Sequence, residues 1–182
     1  QMCTAVAAAV NGGYLVTPHV VDKITDQNGN VIQEIGANVR RQVISESASQ
    51  AVRYIMEHEV GDGTLTGGGS NAYVAGYRIG GKSGTSEQLN MDRRADGDYK
   101  KVASFAAVLP AEDPEILVYV MLDDPNNART DYSSVLAAPV VGNIISEIAP
   151  YLGIHTDGVD RSGTMVKVPN LISKEWSNAQ VS

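Results

Sequence analysis

The chain has 182 residues, enough to bury the core of one domain, and its 43% hydrophobic and 19% charged content is ordinary for a globular protein. A net charge of −7, with no Lys/Arg-rich run, excludes a nucleic-acid-binding surface. Cys3 is the sole cysteine, which excludes a disulfide framework and a Cys-based zinc site.

Met2 to Val10 reads as a helix, with Met2, Val6, Ala9 and Val10 on one face and Gly12-Gly13 to stop it. A hairpin follows, in which Val20-Val21 and Val31-Ile32 flank an Asn28-Gly29 turn. Ser47-Ala48-Ser49-Gln50 has capping-box form and predicts a helix with Ala48, Ala51, Val52, Ile55 and Met56 as its apolar stripe. The glycine-rich stretch from Gly61 to Gly69 has neither a P-loop ending nor a Gly-x-Gly-x-x-Gly pattern, so no nucleotide site is read there.

A strand-like run, Tyr77-Arg78-Ile79, then leads into Gly80-Gly81-Lys82-Ser83-Gly84-Thr85. One cation, two hydroxyls and three positions without Cβ atoms on six residues suit an anionic, peptide-like ligand lying along a strand edge. Strand alternation puts Lys82 on the face opposite Ser83 and Thr85, so only an edge-bound ligand can meet all three. Glu87 to Lys101 is a charged loop. Val102–Leu109 and Ile116–Leu122 are near-continuous apolar strands, predicted to be covered on both faces by helices. Asp123-Asp124-Pro125 reads as a solvated turn in preference to an acid-base pair. Leu136, Val140, Ile144, Ile145 and Ile148 predict a last helix, closed by Pro150. No apolar run is read as transmembrane, and no signal peptide opens the chain. His19, His58 and His155 have no metal-ligand spacing, so neither a metal nor a cofactor is expected.

Taken in order, these segments resemble the C-terminal part of a class B penicillin-binding protein transpeptidase domain. The resemblance rests on Asn11-Gly12-Gly13-Tyr14, Thr17-Pro18-His19-Val20-Val21, Gly63-Thr64, the run Ala75 to Thr85 with its Lys-Ser-Gly-Thr, Ala103-Ser104-Phe105, Asp113-Pro114, Asp124-Pro125 and Ala137-Ala138-Pro139-Val140. It implies an α+β fold: an antiparallel sheet of three core strands plus a separate hairpin, flanked by helices, as part of a penicillin-binding/β-lactamase-like transpeptidase fold. The expected division is 1–155 for this domain part, 156–165 for a linker, and 166–182 for the start of a PASTA-like repeat, read from Val166-Lys167-Val168-Pro169-Asn170-Leu171.

The family's other motifs, Ser-x-x-Lys and Ser-x-Asn, occur nowhere in the chain, which begins inside an apparent helix. The expectation is therefore a truncated piece with no nucleophile, whose serine lies before Gln1. Serine for threonine at Ser83 keeps the hydroxyl; Tyr132-Ser133-Ser134 stands where the family often has a glycine pair. The resemblance implies that Lys82 holds positive potential, that Ser83, Gly84 and Thr85 bind the terminal carboxylate of a D-Ala-D-Ala stem peptide or a β-lactam, and that the Thr85 backbone N–H is one oxyanion-hole donor. It also implies a protein at the extracytoplasmic face of the membrane, anchored by an N-terminal segment absent here. The piece alone is expected to be inactive and to self-associate through its uncovered strand edge. Two other readings fit the same strand: a serine β-lactamase, β-lactam sensor or D,D-carboxypeptidase, and a non-catalytic wall- or partner-binding module.

Overall fold

The structure, a computed structural model, describes residues 1–61, 68–89, 91–125 and 130–156. The Gly63-Thr64 match, the tail expected to be PASTA-like and all but the first residue of the expected linker lie outside the described residues.

Helix α1 spans Met2–Val10 and buries Ala8 and Val10, whereas Met2 is exposed. Strand β1 (Tyr14–Thr17) pairs antiparallel with β4 (Asn38–Gln42). Between them β2 (Lys23–Thr25) and β3 (Val31–Glu34) form the expected hairpin. Asp26 closes its turn by accepting the N–H groups of Asn28 and Asn30 at 2.9 and 2.8 Å, with Gly29 at φ +85°. The first strand of this hairpin starts at Lys23 and not at Val20-Val21; both of its strands are exposed throughout, so no core fixes where the pairing begins. The β1–β4 pair carries no sequence signal because neither of its faces alternates between apolar and polar.

Helix α2 spans Glu46–Val60, and its N-cap is Ser45, two residues ahead of the expected capping box. The Ser45 Oγ accepts the Ala48 N–H at 3.2 Å, and Ser47 lies inside the first turn against the same hydroxyl. The buried face is also rotated from the predicted stripe. Ser49, Met56 and Val60 are buried, while Ala48, Tyr54 and Ile55 face outward. A polar residue occupies the core face because the Gly12 N–H donates to Ser49 Oγ at 3.0 Å.

The centre of the molecule is an antiparallel sheet in the order β5-β6-β7, formed by Gly80–Glu87, Lys101–Leu109 and Ile116–Asp123. The central strand packs on both sides, as its continuous apolarity predicts. Phe105, Ala107 and Leu109 meet Val141 and Ile145 of the last helix, together with Val60 and Ile79. Val108 meets Val10 of α1 and Met56 of α2. Helices α3 (Ser133–Leu136) and α4 (Ala138–Tyr151) run on from each other, with Pro150 in the last turn of α4. Together they make a stretch of 19 residues long and apolar enough to cross a membrane, which the sequence reading overlooked. Val141, Ile145 and Ala149 of this stretch are fully buried against the sheet and its surroundings, the position of a core helix.

Candidate functional site

The Lys-Ser-Gly-Thr motif lies on β5 itself, whereas the strand-like run Tyr77-Arg78-Ile79 falls before the strand and leads into it. That lead-in is clamped from two sides. The Arg78 guanidinium makes a two-pronged contact with Glu57 of α2, at 2.7 and 2.8 Å, and a third with Glu112 in the β6–β7 turn at 2.8 Å. These carboxylates hold Arg78 well above its ordinary pKa, the hydrogen bonds it donates to Glu57 contributing most. Gly81 has a further use beneath the strand. A Cβ on Gly81 would lie 2.6 Å from Phe105 Cζ and 2.7 Å from Val60 Cγ2, so its bareness admits the core below the strand.

Strand β5 is a terminal strand, and the alternation of an antiparallel ladder decides which of its groups face out. The Gln88 N–H donates to the Lys100 carbonyl at 2.7 Å, and the register runs unbroken from Gly80↔Val108 to Glu87↔Lys101. Even-numbered residues of β5 therefore bond to β6, and Gly81, Ser83, Thr85 and Glu87 turn their N–H and C=O groups to the open edge. The Thr85 N–H is one of these outward donors.

The side chains converge on that edge from both faces. The Lys82 ammonium folds over to donate to the Ser83 carbonyl at 2.6 Å and lies 3.4 Å from Ser83 Oγ. Among the described residues Lys82 has no carboxylate partner in an ion pair. Both hydroxyls already have partners. Ser83 donates to Glu59 Oε1 at 3.3 Å, which brings a carboxylate to the same end of the strand. Thr85 donates to Ser133 Oγ at 3.2 Å and accepts the Ser133 N–H at 3.2 Å.

Beyond Thr85 the structure replaces the expected solvated turn with an ion-pair cluster. Arg94 reaches Asp124 at 2.7 Å and Asp131 at 3.0 Å, Lys101 reaches Asp131 at 3.2 Å, and Gln88 donates to Asp123. The Arg94 hydrogen bonds, aided by Lys101, hold the Asp131 carboxyl below its ordinary pKa; Asp131 in turn raises Lys101. Glu59, Ser133, Asp131 and Arg94 were not singled out for this site from the sequence. They lie far from the motif along the chain, and only the serines in place of a glycine pair hinted at Ser133. Among the described residues no group of His, Cys, Asp and Glu converges in a way that would hold a metal ion.

An edge strand with an outward amide, a lysine ammonium and hydroxyls beside it, backed by helices, has the geometry to take a peptide-like ligand as an added strand. Residues 1–146 match the family model described as the penicillin binding protein transpeptidase domain, and the chain belongs to that family. Its likeness is to the class B members. It is 37% identical to the stage V sporulation protein D of Bacillus subtilis over 99% of this chain and 28% of that protein. Among solved structures, the transpeptidase domain of penicillin-binding protein 3 from Burkholderia pseudomallei superposes with a TM-score of 0.64 at 26% identity, covering 86% of this chain and 43% of that one. The ceftriaxone acyl-enzyme complex of penicillin-binding protein A from M. tuberculosis superposes at 0.60 with 21% identity, covering 79% and 30%, a likeness of fold. The chain spans about a quarter of the length of curated relatives it matches.

Proposed function

We propose that this chain is the C-terminal part of a peptidoglycan D,D-transpeptidase that cross-links stem peptides through an acyl-serine intermediate. The observation that carries the reading is the open edge of β5, where the Thr85 N–H, the Lys82 ammonium and the Ser83 hydroxyl lie together. In the reaction, a serine outside these residues attacks the carbonyl of the penultimate D-alanine. The terminal D-alanine leaves, and an amine of a neighbouring strand then takes the acyl group and releases the serine. A β-lactam acylates the same serine. Thr85 supplies one oxyanion-hole donor through its N–H. Lys82 supplies positive potential, and Ser83, Gly84 and Thr85 receive the terminal carboxylate; for this the Ser83 hydroxyl turns from Glu59 and the Thr85 hydroxyl proton turns from Ser133 Oγ, while the Ser133 N–H goes on donating to Thr85 Oγ1.

The nucleophile is assigned elsewhere because no Ser-x-x-Lys or Ser-x-Asn occurs in the 182 residues. The parent protein is placed at the extracytoplasmic face of the membrane with an anchor outside this chain, and residues 166–182 are assigned to the start of a PASTA-like repeat. The absence of those two motifs equally suits a non-catalytic wall-binding module.

Intact-mass analysis with a fluorescent penicillin separates the readings. The chain alone is expected to gain no mass, and the full-length protein one adduct. In the full-length protein Lys82→Ala is expected to slow acylation by roughly a hundredfold. An adduct within these residues would overturn the placing of the nucleophile; an unlabelled full-length protein would overturn the transpeptidase reading in favour of the binding module.

A further inference from the structure

Ser133 is 3% exposed, one of two buried polar residues among those described, and it spends both its N–H and its hydroxyl on one atom, Thr85 Oγ1. The contact spans 48 positions of sequence, so it is a tertiary tie and not a turn motif. Threonine is branched at Cβ and stiff about χ1, so two bonds to its Oγ1 fix one rotamer and, through Cβ, the direction of its own backbone. Thr85 needs such a fix, since the outer side of β5 has no ladder partner to hold its peptide planes.

The anchor is itself held. Asp131, two residues before Ser133, is gripped by Arg94 and by Lys101. Lys101 begins β6 and stands opposite Glu87, two residues beyond Thr85. The ties close a ring: Thr85 to Ser133, along the chain to Asp131, across to Lys101, and over the ladder to Glu87. The ring leaves the end of β5 little freedom to swing, and the Thr85 N–H stays aimed at the open edge.

We propose that Ser133 is a positioning residue that presets the Thr85 amide for acyl transfer, with Asp131 as its brace. The proposal rests on the transpeptidase reading above. It assigns a use to the serine that stands in place of the glycine pair: the hydroxyl replaces backbone freedom with a fixed contact.

The test uses the full-length protein, with stopped-flow acylation by a fluorescent penicillin and a thermal melt for each variant. Ser133→Ala is expected to lower the maximal acylation rate about tenfold, since small misplacements of reacting groups are costly, while the apparent affinity for penicillin stays the same. Ser133→Thr keeps the hydroxyl and is expected to restore most of the rate. In a Thr85→Val background, Ser133→Ala is expected to add less than about twofold, because its route through Oγ1 is gone. A wild-type rate in Ser133→Ala, or full additivity with Thr85→Val, would overturn the proposal while leaving the transpeptidase reading intact. If Ser133→Ala does not fold, the proposal stands on Ser133→Thr and Thr85→Val: equal rates in wild type and Thr85→Val would overturn it. A wild-type protein that takes up no penicillin would overturn both together.

Discussion

Gly81 shows how tightly the motif is seated on the core. Any side chain there meets the ring of Phe105 and the methyl of Val60 at under 3 Å, and both neighbours are fully buried. Gly81→Ala is expected to destabilise the fold by about 1–3 kcal/mol through overpacking, read as a lower urea midpoint at unchanged slope. Lys82 next to it is exposed and, among the described residues, bonds to its neighbour Ser83. Its removal is expected to leave stability within about 0.5 kcal/mol of wild type, so that its effect on acylation stands apart from folding. A Lys82→Ala midpoint far below wild type would show that the lysine is structural.

At the scale of elements, the helix start and the ion-pair cluster make separate predictions. Ser45 caps α2, and the Ser47 hydroxyl, among the described residues, meets that of Ser45. Ser45→Ala is expected to cost about 1 kcal/mol and Ser47→Ala a few tenths, a ranking that equilibrium denaturation of the two variants checks. Asp131 braces the run into α3, and its carboxyl is held below the ordinary value by Arg94 and then Lys101. A depressed folded-state pKa adds stability that is fully present above the unfolded value, near 3.8, and is lost as pH falls through the folded one. The melting temperatures of wild type and Asp131→Asn should therefore differ at neutral pH, and the gap should shrink as pH falls below 3.8 and through the folded-state value. A gap that persists in acid would mean that the contact does not depend on charge.

For the molecule as a whole, the sheet has two edges, and they differ. The outer side of β5 carries the motif, whereas β7 on the far side is half-buried and apolar, with Met121 58% exposed. An apolar terminal strand is a template for pairing with another chain. The isolated chain is expected to associate as its concentration rises, and Met121→Lys to weaken that association, both measured by light scattering. A strict monomer at high concentration would remove the case for an open β7 edge.

The elements of the sheet were legible in the residues alone. β6 announces itself because a strand buried on both faces needs an unbroken apolar run, and the Asn28-Gly29 hairpin does so because few dipeptides accept its backbone angles; β7 has the same apolar run but is only half-buried. Lys82, Ser83, Gly84 and Thr85 stood out because their chemistry is packed into consecutive positions. What surrounds them was decided by packing between distant segments. The face of α2 that turns inward depends on a backbone N–H from Gly12 that makes a buried Ser49 acceptable. The partners of the motif, Glu59 for Ser83 and Ser133 for Thr85, come from segments 24 and 48 positions away. Local sequence carries turn geometry and burial period, which act within a few residues. A hydrogen bond across the fold leaves no such period, so only the tertiary structure shows which hydroxyl holds which, and which amide faces the open edge.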